Sequence, residues 1–148
     1  MTLFPIGYNI NMDIFYNKIH IESFGVFVPK IDDLLLARVL NCVEHFSENG
    51  GHPYPPLAKP IRSVGIPLCE IRIHYNNDLL RIYYFVDRNL KRLVLLNILI
   101  KPDGSKRASA YEGKSKKKIN KLVRKSIDLA VELYHQYPNN THYEQLNF

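Results

Sequence analysis

Leu68–Lys101, LCEIRIHYNNDLLRIYYFVDRNLKRLVLLNILIK, is the stretch that decides the fold. Ile71, Ile73 and Tyr75 alternate with Glu70, Arg72 and His74, and Leu80, Ile82, Tyr84 and Val86 alternate with Leu79, Arg81, Tyr83 and Phe85. Period-two alternation sends each set to its own face of a sheet. Asn76 and Asn77 suit a two-residue hairpin loop, because Asn tolerates positive φ. That loop pairs Tyr75 with Asp78 and sets Arg72 directly opposite Arg81, whereas a one-residue slip would separate the two arginines. Like charges face to face are unfavourable unless something negative lies near them. Glu70 is the candidate counter-charge in the free protein, and a phosphate is the candidate in a complex. The third run, Leu93–Lys101, is nearly all apolar, as expected of a central strand buried on both faces. A three-residue loop in the Asp87–Lys91 turn would put Leu95, Asn97, Leu99 and Lys101 on the arginine face.

Upstream, Leu36, Val39, Leu40, Val43 and Phe46 recur at helical spacing within residues 32–48. Asp32 or Asp33 is placed to cap this helix, and Asn49-Gly50-Gly51 ends it with residues that accept positive φ. Residues 52–67, HPYPPLAKPIRSVGIP, are too rich in proline for a helix or a central strand. They read as a rigid connector from which Lys59 and Arg62 project. Residues 1–30 read as an N-terminal arm with one or two strands, in Asp13–Glu22 and Gly25–Val28.

Downstream, residues 102–115 form a loop with a turn at Pro102-Asp103-Gly104, whose chemical content is Lys106, Arg107 and Tyr111. Residues 116–137 are a helix with the apolar stripe Ile119, Leu122, Val123, Ile127, Ala130, Val131 and Tyr134. Lys117, Lys121 and Lys125 repeat every fourth residue on another face, with Lys114, Lys118 and Arg124 close by. Such a row repels itself. It is either a solvated face or a surface for a nucleic-acid backbone. Pro138-Asn139-Asn140 ends the helix, and the tail to residue 148 is expected to be disordered. The fold class expected is α+β. A small twisted antiparallel sheet of about four strands packs against a helix from the N-terminal half and a C-terminal helix, in one domain spanning residues 1–148.

The net charge of +6 conceals an asymmetry. Lys59–Lys125 holds seventeen Lys and Arg against five acids, and the remainder holds three bases against nine acids. This polarisation points to a polyanion such as nucleic acid, or to a basic face that aids solubility. No apolar run approaches bilayer length. The start, MTLFPIGYNI, lacks the pattern of a signal peptide. Cys42 and Cys69 sit at core positions of a predicted helix and a predicted strand, as in a reduced compartment, and a cytoplasmic location is expected. His20, His45 and His52 lack the spacing of a metal site.

Leu68-Cys69-Glu70-Ile71-Arg72-Ile73, then Leu80-Arg81-Ile82-Tyr83-Tyr84-Phe85, Leu95-Leu96-Asn97-Ile98-Leu99-Ile100-Lys101 and Ile127-Asp128-Leu129-Ala130 follow one another in a distinctive order. Over residues 32–137 this order resembles the RelE/ParE superfamily of bacterial toxins, above all its phage-related HigB-like branch. The resemblance implies the toxin of a type II toxin–antitoxin system, an endoribonuclease that cleaves mRNA in the ribosomal A site and is neutralised by a cognate antitoxin protein. It implies no cofactor and no metal, since the sugar 2′-hydroxyl attacks the adjacent phosphate. By position, Arg81 matches the strand arginine that holds the scissile phosphate, Arg72 a basic position on the preceding strand, and Lys101 the lysine ending the third strand. Arg107 or Lys106 matches the loop arginine, and Tyr111 a tyrosine of some members that moves a proton or stacks on a base. His74 is the alternative proton carrier, because imidazole titrates near neutrality. Lys106, Lys114, Lys117, Lys121 and His74 are the expected RNA-binding set. The longer N-terminal region and the Pro102-Asp103-Gly104 turn depart from the family pattern. ParE-like inhibition of DNA gyrase, or nucleic-acid binding without catalysis, is the alternative on the same fold.

Overall fold

A computed structural model describes residues 11–22, 33–53, 57–75, 78–102, 116–139 and 141–146, with the backbone alone at 22, 33–36, 75, 78, 101 and 102. The fold is α+β. In chain order the elements are β1 (Asp13–Asn17), α1 (Lys18–Glu22), α2 (Asp33–Glu48), β2 (Ala58–Pro60), a 3-10 turn at Arg62–Val64, β3 (Cys69–Tyr75), β4 (Asp78–Asp87), β5 (Arg92–Pro102), α3 (Lys116–Gln136), a 3-10 turn at Tyr137–Asn139 and β6 (Tyr143–Leu146). Among the described residues the sheet has six strands, ordered β2-β3-β4-β5-β1-β6, where about four were expected.

The expected meander is its centre, with β3 antiparallel to β4 and β4 antiparallel to β5. Three short strands widen it. β2 joins β3 at one edge. β1 runs parallel to β5, which makes the sheet mixed rather than antiparallel, and β6 runs antiparallel to β1 at the other edge. The expected disorder of the tail is therefore corrected at Tyr143–Leu146, which pairs with Ile14–Asn17. The strand expected over Asp13–Glu22 also ends early. The buried Asn17 side chain accepts the amides of Ile19 and His20, at 3.0 and 3.1 Å, and starts the turn of helix α1. The strand expected at Gly25–Val28 lies outside the described residues.

One face of the sheet packs on α2. Val43 and Phe46 of the predicted stripe are fully buried against Ile71, Ile82, Tyr84 and Leu93. Burial of one such side chain contributes about 1.5–3 kcal/mol. The helix stops at Gly50 and Gly51, with φ of 72° and 74°. Gly51 donates to the Phe46 carbonyl at 2.7 Å and its own carbonyl accepts the Tyr84 hydroxyl at 3.0 Å. The opposite face packs on α3, whose Ala130 and Leu133 are buried against Tyr83, Phe85, Val94 and Leu96. Leu133 lies outside the stripe named from the sequence.

The turn between β4 and β5 holds the four residues Arg88–Lys91 rather than three, because Asp87 pairs with Arg92. Asp87 Oδ1 accepts the Leu90 amide at 3.2 Å, and Lys91 takes φ of 56°. A bulge opposite Tyr83 and Tyr84 then shifts the register by one. Leu95 therefore belongs to the α2 face, contrary to expectation, while Asn97 and Leu99 pair with Tyr83 and Arg81 as expected of residues on the arginine face.

Candidate anion site on the arginine face

The hairpin register is the predicted one: Tyr75 pairs with Asp78, and Arg72 stands directly opposite Arg81. Their counter-charge is Glu70, two residues along β3 on the same face and 1 % exposed. Arg81 Nη1 lies 3.4 Å from Glu70 Oε2, and Arg72 Nε lies 4.0 Å from Glu70 Oε1. A third cation reaches the same carboxylate from the edge strand. Lys59 pairs with Glu70 in register, and its Nζ lies 3.6 Å from Oε1. The β2 strand that delivers Lys59 is only three residues long and ends in Pro60, so no alternation in the sequence marks it. None of the three contacts reaches the 2.7–2.9 Å typical of a charge-assisted hydrogen bond. The buried Nε atoms of Arg72 and Arg81 and Oε2 of Glu70 have no hydrogen-bond partner among the described residues.

Tyr83, opposite Glu70, closes the floor of the cluster. Its hydroxyl shares a 2.7 Å hydrogen bond with Ser126 of α3, and Asn97 donates to the Ser126 carbonyl at 3.0 Å. Burial pushes the Tyr83 phenol above its ordinary pKa, against the pull of the Ser126 hydrogen bond and the Arg81 charge. Ser126 meets Tyr83, and further along Tyr134 meets Phe85 with ring centres 4.8 Å apart, so α3 runs in the direction of β4. The first turns of α3 thus extend toward the Arg81 end of the strand. They carry Lys117 and Lys121, both exposed.

Of the other expected site residues, His74 is exposed, two residues beyond Arg72, and its carbonyl accepts Arg38 Nη1 at 2.9 Å. Lys101 pairs through its backbone with Leu79, two residues from Arg81 on β4. Lys106, Arg107, Tyr111 and Lys114 lie outside the described residues. The structure thus brings Arg72 and Arg81 together and adds Lys59, Tyr83, Asn97 and Ser126, which the sequence reading did not place in the site. An open cavity of about 540 Å³ lies elsewhere, at the C-terminal end of α3, between His135, Gln136, Asn139, Thr141 and His142. Among the described residues no group of three or more His, Cys, Asp or Glu is arranged to hold a metal ion. No helix among them is long and apolar enough to cross a membrane.

No protein-family model, no curated protein and no solved structure matches the chain.

Proposed function

We propose that the protein is a cytoplasmic endoribonuclease toxin of a type II toxin–antitoxin system, acting on mRNA in the ribosomal A site and held in check by a cognate antitoxin. The observation that supports this reading is the pairing of Arg72 with Arg81 above the buried Glu70, with Nε–H groups that meet no hydrogen-bond acceptor among the described residues. Guanidinium forks are suited to phosphate oxygens. In the proposed reaction the 2′-hydroxyl loses its proton and its oxygen bonds to phosphorus. The bond from phosphorus to the 5′-oxygen breaks, that oxygen is protonated, and a 2′,3′-cyclic phosphate remains. Negative charge builds on the phosphate oxygens in the transition state, where pre-placed cations contribute most. We assign that role to Arg81 and Arg72, with Lys101 and Arg107 as further cations. Tyr111 or His74 carries a proton. Lys106, Lys114, Lys117 and Lys121 hold the RNA backbone.

Primer extension on translated mRNA after induction tests this. Wild type is expected to give new cuts. Arg72→Ala, at a partly exposed side chain, and Arg81→Ala are both expected to reduce cutting by a factor of about 100 or more. Growth arrest without cuts, or with DNA double-strand breaks, would sink the nuclease reading. A specific observation favours a second reading, a nucleic-acid-binding protein without catalysis. The Arg81 side chain is only 11 % exposed and is held by Glu70, as a purely structural ion pair would be. RNA binding that survives while no cut appears would establish that alternative.

A further inference from the structure

We propose that Lys59, Arg72 and Arg81 form a binding site for a single dianionic phosphate group, and that Glu70 is the buried counter-ion that positions them. The inference rests on the nuclease reading for the nature of the polyanion, but not for phosphate binding itself.

Three adjacent strands supply the three cations: β2 gives Lys59, β3 gives Arg72 and β4 gives Arg81. Their shared neighbour is one carboxylate, 3.4–4.0 Å from each. Among the described residues, three cations against one carboxylate leave a surplus of two positive charges, the complement of a phosphate monoester or of inorganic phosphate at neutral pH. The depth profile fits a site with a floor and a rim. The Glu70 and Arg81 side chains are 2 % and 11 % exposed, whereas those of Arg72 and Lys59 are 30 % and 50 % exposed. An anion arriving from solvent meets Lys59 and Arg72 first, at the β2 edge of the sheet. The Glu70 carboxylate lies beneath, fixed by burial, and keeps like charges on neighbouring strands from spreading apart. It does not saturate them: the buried Nε atoms of both arginines lack an acceptor among the described residues, and an unsatisfied buried donor costs about 1–3 kcal/mol. Lys59 is thereby a recognition residue of the site, and Glu70 a positioning residue.

Two sources can present the same dianion, a terminal phosphate on RNA and free phosphate. The full-length protein is titrated at low salt with inorganic phosphate, and with a short single-stranded RNA ending in a 3′-phosphate or a 3′-hydroxyl. Saturable phosphate binding is expected, weakened about tenfold in Lys59→Ala and in Arg72→Gln, the scale of one charge-assisted contact. The melting temperature of Lys59→Ala is expected to match wild type, since half of that side chain is already in water. Arg88→Ala, at the exposed turn beyond the far end of β4, is expected to leave phosphate affinity unchanged. Tighter binding of the 3′-phosphate RNA identifies an RNA end as the source. Equal binding of the two RNAs, with inorganic phosphate still saturating, identifies free phosphate. Absence of saturable phosphate binding, or equal affinity in wild type, Lys59→Ala and Arg72→Gln, overturns the proposal. RNA cleavage without phosphate binding overturns this inference alone, and phosphate binding without cleavage overturns the nuclease reading alone.

Discussion

Arg72 and Arg81 face each other across β3 and β4, and the Arg81 guanidinium lies 3.4 Å from the buried Glu70 carboxylate. Two like charges at directly paired positions are held in one hairpin because a third, opposite charge shares their face. The arrangement makes Glu70 the keystone of the hairpin's polar side. Removing it leaves Arg81 buried without a counter-charge and the two guanidinium groups repelling each other. Deleting one partner of a buried ion pair costs about 3–5 kcal/mol, because the remaining charge stays out of water. Glu70→Ala is therefore expected to lower unfolding free energy by about 3 kcal/mol in urea titrations. Replacing Glu70 and Arg81 together by Leu and Met is expected to recover most of that loss. If Glu70→Ala is as stable as wild type, the carboxylate is not what holds the arginines.

Gly51 is held by a second close approach. Its φ of 74° lies in the left-handed region, and a Cβ built there would stand 2.4 Å from Val86 Cγ2 and 3.0 Å from Leu93 Cδ1. Backbone conformation and packing thus both exclude a side chain. Val86 and Leu93 are paired across β4 and β5, so neither yields without disturbing the sheet. Gly51→Ala is expected to destabilise the fold by about 2 kcal/mol, read as a lower urea midpoint with unchanged m-value. Gly65 has φ of 72° but open space around it, so Gly65→Ala is expected to show only the smaller conformational part, about 1 kcal/mol.

The meander and its facing arginines were legible because strict alternation and the Asn76-Asn77 loop allow few registers. The helix stripes were legible for the same reason: Val43, Phe46 and Ala130 sit where period 3.6 puts them. What the sequence did not reveal depends on contacts between distant segments. KIHIE over Lys18–Glu22 alternates like a strand, yet a single buried Asn17 side chain turns it into a helix. YEQL over Tyr143–Leu146 carries no apolar alternation and becomes a strand only by pairing with β1. The bulge that moves Leu95 to the other face is likewise a property of two strands together. In the candidate site, Arg72 and Arg81 were readable from one hairpin. Lys59 was not, because its role depends on the β2–β3 pairing that sets it against Glu70.

Stability at high pH follows from the core beneath α2. Burial pushes the Cys42 thiol from its ordinary 9.0 up to about 11. Burial also raises Cys69, against a hydrogen bond from Tyr84, and raises the Tyr84 phenol, with the neighbouring Cys69 adding to it. Each folded-state value exceeds its unfolded one, so folding favours the protonated forms. The contribution of Cys42 is complete below about 9 and is lost as pH climbs from about 9 through about 11, while those of Cys69 and Tyr84 are likewise lost as pH rises above their unfolded values. Urea midpoints are expected to fall steadily across that interval, less steeply in Cys42→Ala than in wild type. At about pH 8 the thiols are expected to react with a disulfide reagent far more slowly in the native protein than in urea, because thiolate is the reactive form.

The exposed lysines of α3 distinguish a polyanion surface from a merely solvated face. Lys117 and Lys121 stand four residues apart on the helix, on the turns that reach toward Arg81. If they touch phosphates, each releases counter-ions on binding. The slope of log affinity against log salt then becomes shallower by about 0.7 for each phosphate of a single strand that is no longer neutralised. Lys117→Gln with Lys121→Gln is therefore expected to flatten the slope for a single-stranded RNA by about 1.4. Binding at low salt is expected to weaken without any preference among sequences. The same pair of substitutions removes a like-charge repulsion worth a few tenths, about 0.3 kcal/mol, so the melting temperature is expected to hold or rise slightly. Weaker RNA binding in a protein at least as stable as wild type cannot come from unfolding. An unchanged salt slope would instead assign these lysines to solvent and leave RNA binding to the arginine cluster alone.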